Sequence, residues 1–270
     1  MVEPPRISIY TLTLGRTYYL DKLLASVVEA ARSYPGSIEH HVCFQGAEPE
    51  ATTLSLAEMH GVEGLRIEIH RWPENLGIAM GMNRIIPELG GSILIKMDDD
   101  CLIQSSRFFE HVRAVSALVP DAFFSPFPAG LLGDVVGGVP KIRNRSVEYS
   151  AETDTYYTLR PVSHLGGFCR VSPARLVRDW VLDADVFEGA SGSEDTQYSA
   201  RCRSAGIEMY YLENALIVEH QETALGQRAR YREYFKERFP EEFKARGRRF
   251  GWSTLRRGAG RVLRKLKLMR

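Results

Sequence analysis

ILIKMDDDCLI, residues 93–103, is an apolar run broken by three consecutive aspartates. Adjacent carboxylates repel one another and resist desolvation, so the arrangement is costly unless a cation or a set of hydrogen-bond donors compensates it. A short apolar run preceded by Gly90-Gly91 reads as a buried strand. Asp98, Asp99 and Asp100 then stand at its carboxyl end, where open α/β sheets bind ligands. Hard cations such as Mg²⁺ and Mn²⁺ take carboxylate and phosphate oxygens, often from only one or two protein groups. The aspartates therefore read as a divalent metal site. The plainer alternative is a solvated acidic turn, or an N-cap for a helix after Ser105.

Outward from this run the chain alternates strands and helices. Ile7–Leu12 reads as a first strand, followed by Leu20, Leu23, Leu24, Val27, Val28 and Ala31 at the spacing of an amphipathic helix. EHHVCF (39–44) and LRIEIH (65–70) are predicted strands, with a weaker helical run over 51–60 between them. A helix is expected over 78–89, before the strand that carries the aspartates. Strands alternating with helices imply a mostly parallel sheet covered on both faces. Downstream, a helix is predicted over 105–119 and a long excursion over 126–163, rich in Gly, Pro and polar residues and open to short strands. A strand and helix follow in GGFCRVSPARLVRDW (166–180), then a helix in SEDTQYSARCRSAG (193–206), short strands in IEMYYL and ALIVEH, and a charged helix over 227–245.

The composition is 44% hydrophobic and 26% charged, that of an ordinary globular protein. No apolar stretch approaches the roughly 20 residues of a membrane span, and the N-terminus lacks the pattern of a signal peptide. Four cysteines without a CxxC pair read as reduced thiols of a cytoplasmic protein. The net charge of +1 conceals an asymmetry: ten of the 35 bases lie in 246–270, which holds no acid, so residues 1–245 carry about −9. Leu255, Ala259, Val262, Leu263 and Leu266 keep helical spacing in that tail, which reads as a basic amphipathic helix for an anionic membrane surface. The acidic body argues against nucleic acid as a partner.

Three further groups carry candidate chemistry. Glu194 and Asp195 open a helix; acids are favoured there by the helix dipole alone, yet a carboxylate also serves as general base when it reaches an attacking hydroxyl. His220 follows an apolar strand and would become a ligand only as a third arm on the same metal. Asn75 and Gly77 before one helix, and Thr11, Gly15 and Arg16 at the end of the first strand, stand where backbone N–H groups approach ligands, with ordinary βα turns as the plainer alternative.

Taken together in order, the motifs resemble glycosyltransferase family 2, inverting enzymes of the GT-A fold. They are ISIYTLTLGRTYYLDKLLASV (7–27), NLGIAMGMN (75–83), IKMDDD (95–100), LGGFCRVS (165–172), EDTQYSARCRSAG (194–206) and IVEH (217–220). The resemblance implies a GT-A domain over 1–221, with a nucleotide-sugar half over 1–104 and an acceptor and catalytic half over 105–221. A helical basic region over 222–270 follows. It implies Asp98 at the nucleoside, Asp100 as metal ligand with Asp99 supporting, and His220 as an additional ligand. Asp195 resembles the catalytic base, with Glu194 beside it. Thr11, Arg16, Asn75, Gly77 and Asn83 fall at the nucleotide pocket, and Gly166 and Gly167 at the acceptor. The implied cofactor is Mn²⁺ or Mg²⁺, the donor a nucleoside-diphosphate sugar, and the acceptor a saccharide or lipid-linked saccharide at the cytoplasmic face. One position departs from the family: Gln45 stands near the place of an aspartate that pairs with the base, which leaves UDP, GDP and dTDP sugars all open. A non-catalytic nucleotide-sugar binding protein of the same fold is the alternative. A sugar-phosphate nucleotidylyltransferase would need a GxGTRL-type loop that TLTLGRT does not supply.

Overall fold

The first strand, β1 (Ile7–Thr13), is alternating and almost wholly buried, and it runs one residue further than its pattern predicts. It feeds α1 (Thr17–Ala31), whose Leu20, Leu23, Leu24 and Val27 have no solvent exposure, so the predicted stripe is the buried face. This computed structural model describes residues 4–50, 53, 62–126, 128–129, 145–183 and 194–221, with backbone alone at 128, 129 and 220. The helices expected over 51–60 and 227–245 and the basic tail therefore lie, but for Thr53, outside the described residues. β2 (Ile38–Gln45) and β3 (Leu65–Trp72) follow, then α2 (Gly77–Ile85), a 3-10 turn (Ile86–Glu88) and β4 (Ile93–Met97). These four strands are parallel, in the order β3-β2-β1-β4.

After the aspartates come β5 (Cys101–Ile103), α3 (Phe108–Leu118), β6 (Phe123–Pro126) and β7 (Pro128–Ala129). The helix predicted from Ser105 begins three residues later. Ser105 Oγ instead donates to Ala215 O (2.9 Å) and accepts the Ile217 N–H (2.8 Å), which anchors the approach to the last strand. Within the predicted excursion, β8 (Ser146–Ser150) and β9 (Thr155–Pro161) form an antiparallel hairpin that extends the main sheet. Residues 130–144 lie outside the described residues. The remaining elements are β10 (Cys169–Pro173), the one-turn α4 (Ala174–Val177), α5 (Glu194–Ala205), β11 (Met209–Leu212) and β12 (Val218–His220).

The nine-stranded sheet continues from β4 through β10, β6, β11, β9 and β8, with β10 antiparallel to both neighbours. β5, β12 and β7 make a second, three-stranded sheet. Directly paired residues share a face of a sheet, so the register sorts the side chains into rows. Ile67, His40, Ile9, Ile95 and Val171 form one row, apolar except for His40. The adjacent row, on the opposite face, is Glu68, His41, Tyr10, Lys96 and Arg170. Five polar residues thus cross the middle of the sheet in line. Their partners define the site.

Candidate active site

The β4 strand ends at Met97, and the next residues turn sharply into β5. The Asp98 N–H donates to Phe168 O (2.8 Å), and the Cys101 N–H returns to Asp98 O (3.2 Å). Asp99 is nearly buried; its carboxylate accepts from Thr13 Oγ1 (2.7 Å), from Arg16 Nε (3.1 Å) and from a second Arg16 nitrogen. Arg16 also reaches Asp100 Oδ2 at 3.4 Å. Although burial alone would lower the affinity of Arg16 for its proton, the charges of Asp99 and Asp100 outweigh it and hold the guanidinium firmly ionised. Arg16 therefore belongs to the aspartate cluster itself.

Thr11, expected at the nucleotide, is fully buried with its hydroxyl 2.9 Å from His40 Nε2. Because β1 extends to Thr13, it is Thr13 that stands at the mouth of the strand. Its hydroxyl also accepts the Gly15 N–H (3.0 Å), and Gly15 takes a left-handed φ of 85° to turn the chain into α1. Asn83 is likewise drawn elsewhere: its amide donates to Leu182 O (2.8 Å) and accepts from Leu182 N (2.7 Å), hooking α2 to the segment after α4. Asn75 Oδ1 caps the Gly77 N–H (3.0 Å), and Gly77 has φ +73°. Gln45 is buried and its carbonyl accepts the Leu76 N–H (3.1 Å), so the start of α2 is fixed to the end of β2.

Lys96 is the one charge inside the apolar strand β4. It is 4% exposed, with Nζ 2.6 Å from Asp98 Oδ1 and 3.9 Å from Glu194 Oε1. Desolvation opposes its charge, but Asp98, Asp195 and Glu194 together hold it protonated. Arg170, its partner on β10, is 2% exposed, lies over the Tyr198 ring at 3.8 Å from the centroid, and reaches Asp195 Oδ1 at 3.4 Å. Sequence reasoning missed Arg170, Tyr10 and Thr13. The available signal was a lone base inside each of two apolar strands, at positions the register then pairs.

Three successive backbone N–H groups dock the segment leading into β10 against side chains. Leu165 N–H donates to Ser199 Oγ (3.2 Å), Gly166 N–H to Tyr211 Oη (3.1 Å) and Gly167 N–H to Asp195 Oδ2 (2.8 Å). A Cβ on Gly167 would overlap the Asp195 carboxylate, which explains the glycine. Asp195 keeps about a fifth of its side chain exposed while Glu194 is buried. Asp98 is pushed up to about 7 by burial and by the neighbouring charges of Asp100 and Asp195, against the pull of Lys96. His220 is brought to the same place by backbone pairing: it lies opposite Cys101, and the Gln221 N–H donates to Asp100 O (3.1 Å).

Among the described residues, five carboxylates (Asp98, Asp99, Asp100, Glu194, Asp195) meet three cations (Arg16, Lys96, Arg170). With Asp98 ionised, as a cation beside it favours, the excess is two negative charges in hard oxygen donors, which fits a divalent cation such as Mg²⁺ or Mn²⁺.

This is the GT-A glycosyltransferase fold. No protein-family model and no curated protein sequence matches the chain. Solved structures do. A mannosyltransferase, PcManGT from Pyrobaculum calidifontis, in complex with GDP-Man and Mn²⁺, superposes with a TM-score of 0.59 at 17% identity over 92% of this chain and 66% of its own. TarS from S. aureus gives 0.56 at 14% identity over 86% of this chain and 39% of its own. GalNAc-T7 with UDP, GalNAc and Mn²⁺ gives 0.59 at 12% identity over 80% and 43%. The chain thus spans between two fifths and two thirds of the length of these proteins.

Proposed function

We propose that this protein is a metal-dependent inverting glycosyltransferase that moves a sugar from a nucleoside-diphosphate sugar to a hydroxyl of a saccharide or lipid-linked acceptor. One observation carries the reading. The Gly167–Phe168 segment binds Asp98 through its carbonyl and Asp195 through its N–H, so the donor-side aspartates and the exposed carboxylate form one hydrogen-bonded unit. Asp100, with His220 on β12 paired opposite Cys101, would hold Mn²⁺ or Mg²⁺, and Asp98 would meet the nucleoside. When bound, that ion supplies positive charge against the departing nucleoside diphosphate.

The chain's own residues do the rest. Asp195 accepts the proton of the acceptor hydroxyl as its oxygen attacks the anomeric carbon from the face opposite the leaving group, so configuration inverts. The Gly167 N–H and the Arg170 guanidinium hold Asp195 in orientation. Lys96 holds Asp98 and Glu194 in place, and Gln45, through its amide N–H₂, offers the base a donor at the end of β2. Among the described residues no helix is long and apolar enough to cross a membrane. A role at an anionic membrane surface at the cytoplasmic face, and a domain boundary near 221, rest on the charge and spacing of 222–270.

Support also comes from two of the named solved structures, which hold GDP-Man with Mn²⁺ and UDP, GalNAc and Mn²⁺ on the same fold. The test is thermal shift with UDP, GDP, dTDP and CMP, each with and without Mn²⁺, on wild type and Asp100→Ala, followed by nucleotide release from the matching sugar donor. A shift that needs both Mn²⁺ and Asp100, with turnover abolished in Asp195→Asn, is expected. Binding without turnover under every acceptor tried would assign the fold to nucleotide-sugar binding alone. No metal-dependent shift with any nucleotide would return the aspartates to an acidic turn.

A further inference from the structure

The polar row continues beyond the site just described, to the edge of the sheet. There His41 on β2 pairs with Glu68 on β3, and His70 follows two residues along on the same face. His41 Nδ1 and His70 Nε2 are 2.9 Å apart, while the ring centroids are 5.1 Å apart with planes inclined 26°. A nitrogen separation so much shorter than the centroid separation means that the rings meet edge to edge, lone pair toward lone pair, around one shared proton. Glu68 Oε2 lies 3.7 Å from His41 Nδ1 and 4.0 Å from His70 Nε2. Three donor atoms thus converge, all within 4.8 Å of one another.

We propose that His41, Glu68 and His70 form a second metal site, built for Zn²⁺ and distinct from the aspartates at the end of β4. Zinc bonds of about 2.0–2.1 Å to nitrogen and oxygen place tetrahedral ligands about 3.3 Å apart. The three separations, 2.9, 3.7 and 4.0 Å, bracket that edge. Two imidazoles and one carboxylate are a borderline donor set that suits zinc over Mg²⁺ or Ca²⁺. Three protein ligands leave the fourth position for water.

The outer nitrogens carry the argument further. A ligating histidine almost always turns its other ring nitrogen toward a carboxylate or a carbonyl, which fixes the tautomer. His41 Nε2 lies 3.6 Å from Glu39 Oε1, and His70 Nδ1 lies 3.9 Å from Glu88 Oε2. Both rings therefore have a carboxylate behind them. His41 is 3% exposed, and its Nε2 is buried without a hydrogen-bond partner. Metal binding resolves that: the proton between the rings moves to an outer nitrogen, so each neutral ring keeps one proton, facing Glu39 and Glu88. Arg66 takes the other oxygen of Glu68 (2.5 Å) and leaves Oε2 for the ion. Glu68 and His70 are partly exposed, so an ion reaches the site from solvent.

The experiment is zinc stoichiometry and chelator-competition affinity on the full chain, for wild type, Asp100→Ala, His70→Ala and Glu68→Gln, with Co²⁺ absorption as a readout of coordination geometry. Wild type and Asp100→Ala are expected to hold one tight Zn²⁺ each, with the intense visible bands of tetrahedral Co²⁺. His70→Ala, a partly exposed position chosen to spare the fold, should lose at least about a hundredfold in affinity, since even outer-sphere partners are worth 10- to 100-fold. Glu68→Gln should weaken binding as well, with circular dichroism unchanged. Equal zinc affinity in wild type and His70→Ala would overturn the proposal, as would zinc that binds only when Asp100 is intact.

Discussion

Asp195 is held by two donors of different kinds, and each predicts a separable defect. The Gly167 N–H bond leaves no room for a Cβ, because that atom would overlap the carboxylate. Gly167→Ala should therefore displace Asp195 while leaving the fold and the nucleotide cluster intact. Misplacing a catalytic group by about 1 Å costs on the order of a hundredfold in rate. The expected result is kcat down by about that factor with the nucleotide-dependent thermal shift retained; a shift lost in parallel would mean that Gly167 matters to the donor instead. Arg170 differs because it is buried with its charge. Arg170→Gln removes one partner from an ionic network and leaves carboxylates uncompensated, which typically costs about 3–5 kcal/mol. Urea unfolding should show that loss, where a surface arginine would show well under 1 kcal/mol.

At the scale of elements, what could be read from the sequence depended on whether an element's partner is local. α1 and the parallel strands were legible because each carries its own periodicity: the Leu20–Val27 stripe is the buried face, and β4 ends where the aspartates begin. The β8–β9 hairpin was not placed, since its position beside β11 is set by pairing across the chain. The same limit applied to the site. Asp98, Asp100 and Asp195 and the backbone of His220 lie around the Gly167–Phe168 segment and β5, whereas Thr11 and Asn83 have side-chain partners distant in sequence, His40 and Leu182. One such distant partnership gives a pH prediction. His111 on α3 bonds Tyr157 on β9 at 2.7 Å, and Tyr157 bonds Thr153 at 2.8 Å. Burial and then Arg107 hold His111 below its ordinary value, against a smaller pull from Glu110. The unfolded chain therefore takes up this proton first, and stability falls as pH drops from about 6.5, the unperturbed histidine value, toward the depressed folded one. His111→Gln should flatten that part of the curve: the melting-temperature gap between variant and wild type narrows on acidification through this window. A gap independent of pH would remove His111 from the linkage.

Across the whole molecule the governing quantity is charge. Outside the basic tail the chain carries about −9, and its densest negative cluster is the excess of two charges around Asp98–Asp100. Arg16 is the one cation of that cluster bound to two of the three aspartates, Asp99 and Asp100, and so it competes for the carboxylate proposed to hold the metal. Removing it raises the excess from two charges to three. Arg16→Ala should then bind Mn²⁺ more tightly in the absence of nucleotide, by about tenfold if the variant gains roughly 1.4 kcal/mol of attraction. The same variant should be less stable without metal, because Asp99 stays buried and keeps only Thr13 of its side-chain donors. Mn²⁺ titration followed by electron paramagnetic resonance reads the first effect and thermal melting with and without Mn²⁺ reads the second. The two together are diagnostic. Tighter metal with lower intrinsic stability is the signature of a cation that substitutes for the ion in its absence. Weaker metal would instead make Arg16 a support that positions Asp100, and the charge balance would not be what sets affinity.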